Sequence, residues 1–299
     1  MRTGRKVVGN EHSRIASNTK TWVATVVLQL VGEGKIKLDD SVDRYLPGLI
    51  RTEHGRKITI RQLLQHTSGL PDYLEGPEWE DLEAHRWDHI EPLETVKQSL
   101  ELPPPEDRTP DGFYYSNTNY NLAGLIVTKV TGRSIATEIK QRLIKPLGLR
   151  GTYWPGDQVE LRKPTLRGYV VQGRNLVDKT EWNTSSADAS GALVSTGLDA
   201  TTFWTALWSG KLLAPAQLAD MKKTVPDDGG EGYGLGVERY ERTPGRVTWG
   251  HSGYMETGHK FRNAVTDDGQ RAVTLLFGSE KFNSAKVDSI IDKLIRNLR

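Results

Sequence analysis

One stretch dictates how the rest of the chain must be arranged. Residues 21–31 (TWVATVVLQLV) place apolar side chains at Trp22, Val23, Val26, Val27, Leu30 and Val31. That spacing predicts a helix with one strongly apolar face, ended by Gly32 and Gly34. Such a face must be covered by other layers, so the chain must build a sizeable core. With 299 residues, 36% of them hydrophobic, it can do so without a disulfide or metal staple. There is no cysteine, which removes disulfide frameworks, cysteine-bound zinc and thiol nucleophiles together.

The remaining pattern predicts an α+β fold. Short segments cover residues 36–46 and 58–64, followed by a turn at 66–72 (HTSGLPD). Residues 75–94 read as a helical or irregular excursion, and 102–112 as a Pro-rich loop. A second strong helical pattern follows Asn117 and stops at Gly132, and a third covers 135–143. Residues 152–183 read as irregular structure with short strands, and 198–209 and 215–222 as helices. Residues 246–249, 260–266 and 271–277 read as three strands, with Asp267-Asp268-Gly269 as a tight hairpin turn between the last two. The chain closes on an amphipathic helix with Val287, Ile290, Ile291, Leu294, Ile295 and Leu298 on its apolar side. This order predicts one domain over 1–299. A mostly helical region spans roughly 35–225, and an antiparallel sheet with its covering helix spans roughly 226–299. The join between the two is a natural place for a site.

Charge and hydropathy exclude some partners. Forty basic residues stand against 38 acidic ones, which gives no electrostatic case for nucleic acid. No apolar run approaches the ~20 residues of a membrane span. The start, MRTGRKVVG, has basic residues without an apolar stretch behind them and does not read as a secretory leader.

Three short motifs carry chemistry. Ser17-Asn18-Thr19-Lys20 stands at the start of the first strong helix. Residues three apart lie one turn above each other there, so the Lys20 amine can reach the Ser17 hydroxyl. A serine needs a base to become a nucleophile, and a lysine serves when burial lowers its pKa. Taken alone, a serine at a helix start is more often an N-cap. Tyr115-Ser116-Asn117 sits at a second loop-to-helix junction. Its phenol can shuttle a proton and its amide can hold a substrate carbonyl, although for the triplet taken alone a packed Tyr beside a capping Asn is the commoner explanation. His251-Ser252-Gly253 follows the strand RVTW and can line a cleft with its edge. The glycine admits a close backbone, and the Tyr254 N–H is placed to share an oxyanion with that of Ser17.

Together, SNTK, YSN and HSG resemble the S-x-x-K, S-D-N and K-T-G set of the penicillin-recognising serine hydrolases. The YSN and HSG variants are similar to the branch holding D-Ala-D-Ala carboxypeptidases, class C β-lactamases and related esterases. LLQHTSGL at 63–70, YSNTNYNLAGLIVTKVTG at 115–132, PLGL at 146–149, SGALVST at 190–196 and YGLGV at 233–237 extend the resemblance from about Arg14 to the end. It implies the β-lactamase/transpeptidase-like fold and an acyl-enzyme mechanism on an amide, ester or β-lactam. Ser17 would be acylated, with Lys20 as its base and Tyr115 passing the proton. Asn117, His251, Ser252, Gly253 and Tyr254 would bind substrate. No metal and no organic cofactor is implied. The partner would be a small-molecule or peptidoglycan-like substrate, in an extracytoplasmic or secreted setting.

The chain also departs from that pattern. Only 16 residues precede Ser17, where relatives carry a helix and two strands, so those strands are expected to be missing or shortened. Carboxypeptidases of the branch hold the substrate carboxylate with a hydroxyl after H-x-G and an Arg on the preceding strand. Here position 254 is Tyr and the matching strand position is Glu238, which shifts weight to a neutral ester or amide. Tyr254 and Met255 are expected to narrow the cleft. An α/β-hydrolase elbow fails at Gly250–Tyr254, because position 254 is not Gly. His85 and His89, four apart, lack a third metal ligand. A β-lactamase, or a non-catalytic ligand-binding relative, is the remaining alternative.

Overall fold

The computed structural model describes residues 9–53, 55–105, 112–229, 231–281 and 283–298, without the Arg242 side chain. The basic start at 1–8 and positions 106–111 of the Pro-rich loop lie outside the described residues. A two-residue strand β1 (Ser13–Arg14) leads through a 3-10 turn, Ala16–Asn18, into helix α1 (Thr19–Gly32). Then come α2 (Val42–Tyr45), α3 (Ile60–Gln65), α4 (Pro92–Glu101), α5 (Asn117–Thr131), α6 (Ile135–Ile139) and α7 (Lys145–Leu147). The hairpin β2 (Tyr169–Gln172) and β3 (Asn175–Asp178) is followed by α8 (Asp188–Gly191), β4 (Val194–Ser195), α9 (Gly197–Trp208) and α10 (Pro215–Met221). The chain ends with β5 (Glu238–Thr243), β6 (Arg246–Gly250), β7 (Gly253–Tyr254), β8 (Lys260–Thr266), β9 (Ala272–Phe277) and α11 (Ser284–Asn297). Among the described residues no helix is long and apolar enough to cross a membrane.

Helix α1 corrects the sequence expectation of a single apolar face. It is buried all round, polar residues included: Thr19, Lys20, Thr21 and Thr25 are fully covered alongside Trp22, Val23 and Leu28. The threonines survive burial because their hydroxyls are satisfied. Thr21 Oγ1 donates to the Gly236 carbonyl at 2.7 Å, and Thr25 Oγ1 to that of Thr21 at 2.7 Å. Trp22 stacks on Phe203 of α9 at 3.7 Å.

The late sheet is antiparallel. β6 pairs with β5 on one side and β8 on the other, and β9 pairs with β8. β7 continues the line of β6 further along β8, opposite Phe261 and Lys260. Side chains alternate across the sheet with period two. Phe261 and Val265 join the core around α1 and α9, whereas Ala264 and Val273 pack under Val287, Ile291 and Ile295 of α11. Among the described residues, the ladder partners of β9 all lie on β8. The Ser17 turn is thus wedged between the helical region and β7, where the motifs converge.

Candidate active site

The site begins with a strained turn. Ala16 holds φ of +49°, a left-handed conformation for a residue with a Cβ, immediately before Ser17. Asn18 ties the turn to the sheet. Its Nδ2 donates to the His251 carbonyl at 2.9 Å and to Asn263 Oδ1 at 3.3 Å, while Asn263 Oδ1 also accepts from the His251 N–H at 3.0 Å. β7 then runs hard against the turn. A Cβ on Gly253 would lie 2.2 Å from the Ile15 carbonyl oxygen. The glycine is therefore needed for the protein's own packing, whereas the sequence suggested room for a substrate backbone.

One helical turn on, Lys20 Nζ lies 3.1 Å from Ser17 Oγ, 2.7 Å from Asn117 Oδ1 and 2.8 Å from the Ser190 carbonyl. The last two atoms can only accept. In the neutral amine they take both N–H groups, and the lone pair is left facing the Ser17 hydroxyl. Lys20 is fully buried, and burial pulls its pKa down to about 7, against the upward pull of Asp72 and Glu238. A neutral amine is thus well populated near neutral pH.

Tyr115 lines the cleft beside Ser17, and burial raises its pKa well above 10, so the phenol keeps its proton. Its ring stacks on His66 at 4.2 Å, and Lys20 Nζ sits 4.9 Å from its centroid. His66 accepts the Ser116 N–H on Nδ1 at 3.1 Å.

His251 does not reach the cleft. Its ring is 1% exposed, with Nε2 2.8 Å from the Tyr233 hydroxyl and Nδ1 2.7 Å from the Ser252 carbonyl. Burial lowers its pKa, so it is neutral and sits behind the wall. Ser252 and Tyr254 form that wall instead. Both oxygens of Glu238 are engaged by Ser252, accepting its N–H at 3.1 Å and its hydroxyl at 2.9 Å.

The cleft over Ser17 measures about 550 Å³. Tyr73, Leu74, Phe113 and Trp182 give it an aromatic and apolar side. Tyr254 and Met255 line it, and Asp227, Asp228, Glu238 and Glu256 supply carboxylates. Among the described residues its lining holds no lysine and no arginine. His85 and His89 lie elsewhere on the surface, facing Asp88 and Asp157.

Asp72, Asn18 and the Ser190 carbonyl were not singled out from the sequence. Asp72 and Ser190 do fall in or beside the HTSGLPD and SGALVST stretches. Their position in those stretches was the available signal.

This fold with this constellation defines a serine hydrolase of the β-lactamase type. Residues 1–294 match the Beta-lactamase family model, and the chain belongs to that family. A D-stereospecific amidohydrolase from Streptomyces sp. is 37% identical with a TM-score of 0.89, over 95% of this chain and 87% of that one. The D-amino acid amidase of Ochrobactrum anthropi SV3 is 29% identical with a TM-score of 0.83, over 97% and 84%. Protein flp of Staphylococcus aureus is 32% identical over 179 residues, 58% of this chain and 34% of that protein. The chain thus aligns with only about a third of the length of that curated relative.

Proposed function

We propose that the chain hydrolyses small amides or esters of the D-amino acid amide class through an acyl group on Ser17. The observation that carries this reading is the buried Lys20 amine nitrogen held 3.1 Å from Ser17 Oγ. Neutral Lys20 takes the hydroxyl proton as Ser17 Oγ bonds to the substrate carbonyl carbon. The carbonyl oxygen becomes an oxyanion between the Ser17 and Tyr254 N–H groups. Tyr115 gives its proton to the departing amine or alcohol and regains one from Lys20, and the bond to the leaving group breaks. Water then repeats the sequence on the acyl-enzyme and releases the acid, with Lys20 and Tyr115 in the same roles.

Two features support an amide over a carboxyl-terminal peptide. The amidohydrolase and amidase relatives cover nearly the whole chain. The cleft lining carries carboxylates and, among the described residues, no lysine or arginine to hold a substrate carboxylate. Of the carboxypeptidase-like and esterase-like activities that the motifs suggest, that weighs against the first.

The test is ammonia release from D-phenylalaninamide by the protein and by Ser17→Ala, with intact mass after a small activated ester and after a penicillin. Release and an acetyl-sized adduct, both lost in Ser17→Ala, are expected. No turnover together with no adduct would overturn the reading. Rapid loss of penicillin with the amide untouched would replace it with a β-lactamase.

A further inference from the structure

Asp72 does not line the cleft, yet its bonds lead into it. Oδ2 accepts from Asn117 Nδ2 at 2.7 Å and from the Asn117 N–H at 3.0 Å, while Oδ1 accepts the Leu74 N–H at 3.1 Å. All three partners are donors, which suits the ionised carboxylate. The loop is pinned as well. The Pro71 carbonyl accepts the hydroxyls of Ser99 at 2.7 Å and Ser116 at 3.0 Å, and Asp72 is 8% exposed.

An amide side chain has one donating end and one accepting end. With Nδ2 committed to Asp72, Asn117 must turn Oδ1 toward Lys20, where it accepts at 2.7 Å. We infer that Asp72 is a positioning residue for the Lys20 base: acting through Asn117, it aims the amine at Ser17 and sets how readily that amine gives up its proton. This rests on the reading of Lys20 as the base.

The charged and titratable groups around the amine are few. Asp72 comes from the loop after α3, and Glu238 from β5; both draw Lys20 upward. His66 and His251 face it in neutral form, kept so by burial. The Tyr115 and Tyr120 rings lie 4.9 and 5.6 Å from Nζ. Tyr73, buried and un-ionised, adjoins Asp72.

The experiment compares kcat/KM against pH for the wild type and Asp72→Asn, both checked for folding by circular dichroism. An Asn at 72 offers an amide that either end can face, which frees Asn117 to turn, and it removes one of the two negative charges. The acid limb is expected to move down by about one pH unit. The plateau is expected to fall roughly 10- to 100-fold through misplacement of the base. A folded Asp72→Asn whose limb stays at the wild-type pH would overturn the inference, whatever its plateau or melting temperature. If Asp72→Asn does not fold, Asp72→Ser carries the same readout, because its hydroxyl can still accept the Asn117 N–H. Failure of both to fold would assign Asp72 to structure alone and also overturn the inference. Wild-type protein that forms no Ser17 adduct would instead overturn the proposed function beneath it.

Discussion

At the scale of single residues, the proposed amide specificity draws on Glu238. Its two oxygens each accept one bond from Ser252, and its side chain lines the cleft. A protonated amine on a ligand is attracted there, and a carboxylate is repelled. Glu238→Gln is therefore expected to raise KM for D-phenylalaninamide about tenfold, at a pH on the plateau, and to leave KM for its N-acetylated form nearly unchanged. Steady-state kinetics on the pair checks this, and an equal change in both would remove Glu238 from substrate recognition. The sequence displayed Ser17, Lys20, Tyr115 and Asn117 because each sits at a local boundary with its own signature. Asp72 and Asn18 act at sequence separations of 45 and 233 residues, which no local pattern reports. His251 reads identically whether its ring faces the cleft or lies behind it; only the packing of Tyr233 decides that.

At the scale of elements, α1 carries both the core and the proposed base. Trp22 is fully buried and stacked on Phe203, so Trp22→Ala leaves a cavity in the layer between α1 and α9. A loss of about 3–5 kcal/mol in unfolding free energy is expected, measurable by urea denaturation. A loss below about 1 kcal/mol would mean that the layer collapses to fill the gap. Hydrophobic spacing located this helix but described it as one-faced. The threonines that complete its buried surface score as polar, and their burial depends on partners such as the distant Gly236 carbonyl. The strands β6, β8 and β9 were legible for the converse reason, since their alternation and the Asp267–Gly269 turn are local. The β2–β3 hairpin was anticipated only as short strands within irregular structure. Its residues are half-buried, so its alternation carries little contrast.

At the scale of the whole molecule, the cleft exists only where segments from both ends of the chain meet. After dilution from denaturant, Ser17 acylation is expected to return with the final folding phase, together with the tryptophan signal. An earlier return would show a competent site without the sheet. Folds dominated by such distant contacts assemble slowly. The Asn18 bond to the His251 carbonyl adds a question of timing. Synthesis delivers Asn18, beside the serine and its lysine, 233 residues ahead of the His251 carbonyl that braces it. Until then Lys20 stands in water, where an amine with a pKa near ~10.4 stays protonated and takes no proton from a hydroxyl. The nascent chain therefore carries the proposed nucleophile unarmed, and arrival of that strand is what arms it.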